Sequence, residues 1–337
     1  MFLTYLLFAF GFALLVKGAD WLIEGAVVLA RKFNISEITI GLTVVAFGTS
    51  APELVVNIIS SIKTSGELVV GNIVGSNIAN LGLGLGLAGL VAPLLVKKSI
   101  IKKEIPMGLL GAALIYLLAT HPGELPDTLI IARFGGLILL LGFVSFLYFV
   151  YKAEKAGEIE KPEKEKLNLG FALLLTLAGL IGLASGGELV VRNAILIAES
   201  WGVSEKLIGL TFVAIGTSLP ELVTSVVAAR KGKSDIAVGN IVGSNVFNIF
   251  WVLGISAIIA PIYYSASLVV DLGVLAAITV FFVAATFLGK SGFNLFFWRR
   301  RKSTFDLLGK ENVLNRFGAF VLAISYFLYI GFVVWRG

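Results

Sequence analysis

The chain has no cysteine, and its only histidine is His121. Disulfides and thiolate metal sites are therefore excluded. Zinc, copper and iron centres normally draw on His or Cys, so hard, oxygen-seeking cations are the metals left open. The same absences remove Ser-His and Cys-His pairs, and with them most nucleophilic catalysis. Charge is also scarce, at 14 % of 337 residues. What fills the chain instead is apolar: 58 % of residues are hydrophobic and mean hydropathy is +0.96. Soluble domains use about 45–50 % apolar residues. Apolar runs near the roughly 20 residues that span a bilayer recur along the whole length. The composition predicts an all-α polytopic membrane protein whose partner is the lipid bilayer. Its net charge of +6 is assigned to the excess of basic residues in cytoplasmic loops, not to nucleic acid. The opening run FLTYLLFAFGFALLV lacks a basic leader and continues into GADWLIEGAVVLARKF. It is expected to be a mature first helix and not a cleaved signal.

The chain repeats itself, and what it repeats is polar. Residues 41–55 read GLTVVAFGTSAPELV and residues 209–223 read GLTFVAIGTSLPELV. Residues 71–80 read GNIVGSNIAN and residues 239–248 read GNIVGSNVFN. The offset is 168 throughout, and 22 of the 40 positions from 41 to 80 are identical to their counterparts. A duplicated polar cluster in apolar sequence is the signature of a transporter made of two repeats.

Apolar runs place ten helices at about 2–30, 38–62, 70–95, 104–120, 127–151, 168–198, 206–229, 237–261, 267–288 and 313–334. Five helices per repeat force the second copy to enter the membrane upside down. With the N-terminus outside, 21 of the 27 basic residues fall in inside segments and three in outside segments. That bias predicts both termini outside and the linker in the cytoplasm of a multi-pass cell-membrane protein. The units are a first repeat (1–153), a linker (154–167) and a second, inverted repeat (168–337). The linker mixes both signs around Pro162 and reads as a short solvated hinge. FNLFFW beside Arg299, Arg300 and Arg301 fits either a segment lying along the inner surface or an extended end of the ninth helix.

Glu53 and Glu221 lead the polar cluster. A carboxylate near the bilayer midplane costs several kcal/mol, and neither has a Lys or Arg within one turn. Two carboxylates can neutralise one divalent cation, two monovalent cations or two protons. Thr49 and Ser50 lie four and three residues before Glu53 and are expected to share its helical face. Ser76 and Asn80 are again four apart, and Thr217, Ser218, Ser244 and Asn248 repeat the set. Hydroxyl, amide and carboxylate oxygens without sulfur or imidazole suit calcium or sodium. A lone intramembrane Ser or Thr usually bonds its own i−4 carbonyl; two matched clusters are poorly explained that way. Pro52 and Pro220 lack the N–H that would bond Gly48 and Gly216, so the helix should kink there. The carbonyls of neighbouring Ala46 and Ala214 then become candidate ligands. Asp20, Glu24, Glu188 and Arg192 occupy matching parts of the first and sixth helices. They are expected at helix-end or inter-repeat contacts, with Glu188 and Arg192 spaced to pair. LGLGLGLAGL (81–90) sits in a span and reads as close helix packing, not a nucleotide loop.

The paired G-T-S-x-P-E and G-N-x-x-G-S-N motifs resemble the alpha repeats of the cation/calcium exchanger superfamily, and within it the prokaryotic sodium/calcium exchangers. The resemblance spans the whole chain. It implies ion sites between helices two, three, seven and eight, and first and sixth helices that slide past that core. It implies a calcium site centred on Glu53 and Glu221, completed by the Ala46 and Ala214 carbonyls and the Thr49 and Thr217 region. Sodium sites would add Ser50, Ser76, Ser218 and Ser244, with Asn80 and Asn248 lining the middle. Potassium-dependent relatives have Asp where this chain has Asn248, which weakens a potassium requirement. Proton-coupled relatives place an acidic residue near Ser76 and Ser244, which favours sodium as the driving ion. The expected activity is electrogenic sodium/calcium antiport by a monomer, with no cofactor beyond the transported ions. Proton/calcium exchange is the alternative, then a passive cation channel. An intramembrane enzyme lacks a nucleophile-base pair.

Overall fold

The computed structural model describes residues 1–120, 128–155, 168–201, 214–290 and 312–336. His121, most of the linker, the start of the expected seventh helix and the basic FNLFFW segment lie outside them. Helices dominate because lipid offers no partner for backbone N–H and C=O groups, which a helix satisfies internally. In order they are α1 (Phe2–Phe33), α2 (Glu37–Thr49), α3 (Ala51–Ile62), α4 (Gly66–Val91), α5 (Ile105–Leu117) and α6 (Arg133–Lys155). Then come α7 (Leu169–Ser200), α8 (Ala214–Thr217), α9 (Leu219–Arg230), α10 (Ser234–Ile259), α11 (Leu268–Lys290) and α12 (Arg316–Arg336).

Among the described residues, seven helices are long and apolar enough to cross a bilayer, or eight with α2 and α3 taken as one bent span. Two expected spans fall outside that set. The one at 104–120 is built on α5, whose 13 residues reach only about 20 Å at 1.5 Å per residue; a π turn at Ile100–Glu104 precedes it. The one at 206–229 begins outside the described residues. The helix before the linker, α6, runs to Lys155. Glu154 stays in the last turn of α6, where its carboxylate accepts hydrogen bonds from the Ser36 N–H (3.2 Å), Ser36 Oγ (2.7 Å) and Thr39 Oγ1 (2.6 Å). It thereby caps the start of α2, where Ser36 is the N-cap and negative charge is favoured.

Among the described residues, five strands of two to four residues accompany the helices. β1 (Leu94–Val96) pairs antiparallel with β5 (Asn312–Leu314). β3 (Thr128–Ile131) lies between β2 (Ala119–Thr120) and β4 (Ile262–Ser265). β1 and β4 follow Pro93 and Pro261, which end α4 and α10 as prolines do. Each of these two strands pairs with one from the other half of the chain.

α4 and α10 form the centre. Their apolar windows are 83 % buried, against 22–39 % for the other spanning helices. On α10 a Cβ at Gly239 would lie 3.0 Å from the Ile38 oxygen and one at Gly243 2.7 Å from that of Leu42, so glycine there lets α2 pack close. α1 and α7 form a separate antiparallel pair. A Cβ on Gly18 would lie 2.7 Å from the Leu183 nitrogen, one on Gly25 2.8 Å from that of Thr176, and one on Gly186 2.8 Å from that of Leu15. Backbone meets backbone along this seam, as in small-residue membrane packing.

Candidate ion-binding site

The Gly-x-x-x-Pro signal becomes a break. α2 and α3 meet at 47° at Ser50. Ser50 (φ −84°, ψ 7°) and Ser218 (φ −86°, ψ 1°) leave the helical path at the same place in the two halves. Pro52 and Pro220 stand in the first turns of α3 and α9, followed by Glu53 and Glu221. Both carboxylates are fully buried. The Ala46 carbonyl is not freed: it accepts the Ser50 N–H at 3.0 Å and faces the hydroxyls of Thr49 (3.3 Å) and Ser244 (3.5 Å). Ala214 opens α8 at the equivalent position.

The bend changes who faces whom. Thr49 and Ser50 were expected beside Glu53, but they serve the other half. Ser50 Oγ donates to Glu221 Oε1 at 2.8 Å, and Ser218 Oγ donates to Glu53 Oε1 at 3.4 Å. Thr49 donates to Asn240 Oδ1 (3.0 Å), and its counterpart Thr217 donates to Asn72 Oδ1 (3.2 Å). Thr49 also lies 3.5 Å from Ser244 Oγ, and Thr217 3.4 Å from Ser76 Oγ. The structure thus brings Thr49, Ser50, Glu53 and Ser76 together with Thr217, Ser218, Glu221 and Ser244.

Asn80 and Asn248 sit at or beside the start of π turns, Asn80–Gly84 and Phe247–Val252. Such turns widen a helix and often mark functional positions. Asn80 Nδ2 donates to Asn245 Oδ1, and Asn248 Nδ2 to Asn77 Oδ1, both at 3.0 Å. Asn77 and Asn245 bond each other's backbone carbonyls at 3.1 and 3.2 Å. The roles of Asn72, Asn77, Asn240 and Asn245 were not assigned from sequence, although the 168-residue offset had marked all four. Asn57 was missed; its Nδ2 donates to the Glu53 carbonyl at 2.7 Å. Its counterpart is Ser225, so the repeat carries no amide signal there.

Several buried oxygens at this centre lack a donor, Asn57 Oδ1 on α3 and one on each of four expected site residues. Among the described residues Glu53 Oε2, Glu221 Oε2, Asn80 Oδ1 and Asn248 Oδ1 have no hydrogen-bond donor. Buried polar atoms are rarely orphaned in this way. Oxygens without donors are what a dehydrated cation needs. Among the described residues no group of three His, Cys, Asp or Glu gathers anywhere, so two carboxylates carry all the charge here and neutral oxygens do the rest.

The sequence matches the family described as "Sodium/calcium exchanger protein" over residues 3–152 and 171–335. The chain belongs to that family. It is therefore a polytopic membrane transporter of the cation/calcium antiport class and not an enzyme. It is 39 % identical to inner membrane protein YrbG of Escherichia coli over 271 residues, 77 % of this chain and 81 % of that one. It is 34 % identical to sodium/calcium exchanger MaX1 of Methanosarcina acetivorans over 296 residues, 77 % of this chain and 84 % of that one. The solved sodium-calcium exchanger NCX_Mj, soaked with sodium and calcium, superposes with a TM-score of 0.75 at 30 % identity and covers 98 % of both chains.

Around this exchanger core, polar contacts cluster at one end. Lys233 pairs with Glu37 at 2.6 Å and Lys97 with Asp235 at 3.7 Å. Lys231 pairs with Asp20 at 3.0 Å and Glu24 at 3.1 Å. Partial burial works against the Lys231 charge, but the bonds to Asp20 and Glu24 outweigh it and raise its pKa. Asp20 and Glu24 thus make the inter-repeat contact expected of them. The Glu188–Arg192 pair expected from spacing is absent among the described residues, where both side chains are exposed.

Proposed function

We propose that this protein exchanges sodium for calcium across the cell membrane by alternating access, electrogenically and without potassium. The observation that carries the proposal is the set of four donor-free buried oxygens on Glu53, Glu221, Asn80 and Asn248. Two carboxylates balance one calcium ion or two sodium ions. Hard cations take carboxylate, hydroxyl, amide and carbonyl oxygens as ligands, the types gathered here. Calcium would be held by Glu53 and Glu221 with Thr49, Thr217 and the Ala46 and Ala214 carbonyls. Sodium would use Ser50, Ser76, Ser218 and Ser244 as well, and Asn80 and Asn248 would line the middle. The architecture proposed is ten helices in two inverted repeats, residues 1–153 and 168–337, with the linker in the cytoplasm and both termini outside. The equivalence of Ser50 with Ser218 and of Thr49 with Thr217 in their crossed bonds supports that relation. A monomer suffices, because both halves of the site come from one chain. The names of MaX1 and NCX_Mj carry the same pair of ions.

The test is radioactive calcium uptake into proteoliposomes loaded with sodium, beside sodium-free and pH-gradient vesicles. Uptake that requires internal sodium is expected. Uptake driven by a proton gradient alone would move the protein to the proton-coupled branch, and uptake with no counter-ion would make it a channel.

A further inference from the structure

The two halves match in sequence but not in arrangement. Lys231 closes α9, and its Nζ meets Asp20 Oδ1, Glu24 Oε1 and the Asp20 carbonyl of α1. The offset of 168 carries Lys231 back to Lys63, at the end of α3, and Asp20 forward to Glu188, on α7. The lysine and the acid are both repeated. Yet among the described residues Lys63 and Glu188 form no ion pair, and both are exposed.

Packing is unequal in the same sense. α1 lies along α9, whereas α7 makes no comparable contact with α3. On α9, Val227 is 8 % exposed; its counterpart on α3, Ile59, is 47 % exposed. On the α1–α7 pair, Ile23 is buried at 1 % while its counterpart Val191 is only partly covered. The α1–α7 pair therefore rests against the Lys231 end of the core and stands off the Lys63 end.

The counterparts also differ in charge. Glu24 corresponds to Arg192. Lys231 meets two carboxylates, but Lys63 would meet one carboxylate with a guanidinium one turn away.

We propose that Lys231 with Asp20 and Glu24 is a charge latch that holds the α1–α7 pair against one end of the core, and that Lys63 with Glu188 is a weaker latch made when the pair moves to the other end. The proposal rests on the alternating-access reading above. The swap of Glu24 for Arg192 makes the two latches unequal, so the resting transporter favours the state closed at Lys231. Loss of that latch shifts the population toward the opposite opening.

The chain has no cysteine, so a single introduced thiol reports movement without background. Ile23→Cys places it in the covered strip beside Lys231, and Val191→Cys places it at the equivalent, partly covered position. Labelling by an impermeant maleimide is followed from each side of proteoliposomes. Lys231→Gln is expected to speed labelling at position 23 by about two- to fivefold, the range an exposed ion pair spans, and to slow it at position 191. Lys63→Gln should not speed labelling at position 23. The charge swap Asp20→Lys with Lys231→Glu should restore slow labelling there, which a merely damaged fold would not do. Equal labelling with and without Lys231, or equal acceleration by Lys63→Gln, would overturn the latch. Sodium-dependent calcium uptake is read in the same vesicles. Latch-dependent labelling without such uptake supports the latch and removes sodium/calcium exchange; uptake with labelling blind to Lys231 removes the latch alone.

Discussion

Glu53→Gln keeps the shape of the side chain and removes one of the two charges at the centre. The Ser218 hydroxyl donates to Glu53 Oε1, and the glutamine carbonyl can accept that bond in its place. The loss falls on Oε2, the donor-free oxygen, which becomes an amide N–H₂ and can no longer ligate a cation. A bound calcium ion would then face one carboxylate, Glu221, and carry an unbalanced positive charge in a fully buried site. Stranding one member of a buried charge set costs about 3–5 kcal/mol, which is roughly a hundred- to several-thousand-fold in Kd. Sodium, with half the charge, should lose less. Calcium titration calorimetry on purified protein is the assay, with sodium titration alongside. Glu221→Gln should behave alike, since Ser50 supports Glu221 as Ser218 supports Glu53. A calcium Kd within tenfold of wild type in both variants would refute the charge-balance reasoning.

Gly18→Leu should unseat the α1–α7 seam, because its Cβ alone would lie 2.7 Å from the Leu183 nitrogen. A loss of about 1–3 kcal/mol or more is expected, read as a lowered Tm in detergent. Gly75→Ala is the contrast: nothing lies within 4 Å of a Cβ there, so Tm should hold or rise slightly. Asn245→Leu would strand Asn80 Nδ2 and remove the side-chain bond to the Asn77 carbonyl. At about 1–3 kcal/mol per buried unsatisfied group, both thermal stability and calcium affinity should fall. Asn248→Asp adds a carboxylate to the middle of the site and should change ion dependence while the protein still folds. Uptake measured with and without potassium checks this, and an unchanged dependence would count against the role assigned to position 248.

The break at Ser50 was legible because proline chemistry is local: a missing N–H acts four residues back, wherever the chain goes next. The partners of Thr49 and Ser50 were not legible. Spacing of three and four puts them beside Glu53 only on a straight helix, and the 47° bend turns both hydroxyls toward the other half. The same proline that announced the bend thus defeated the face assignment built on spacing. The offset of 168 marked Asn72, Asn77, Asn240 and Asn245 as special, but an offset names positions and not contacts. The π turns at Asn80 and Phe247 left no sequence signal, since their dihedrals are ordinary helical ones. Asp20 and Glu24, expected at helix-end or inter-repeat contacts, meet Lys231 of the other half. Glu188 and Arg192 satisfied the same spacing rule and did not pair, since both are exposed and such pairs contribute little there.

The crossed hydroxyls carry one more consequence. Ser50 belongs to one half of the chain and the carboxylate it supports belongs to the other, and Ser218 returns the favour. Neither half owns a finished site. On the function proposed above, a chain of half this length would need a second copy in the membrane to complete the pair of supported carboxylates. Joined in one polypeptide, the two halves differ at matched positions: Asn57 against Ser225, Glu24 against Arg192. The hydroxyls that each half keeps on behalf of the other's carboxylate do not differ.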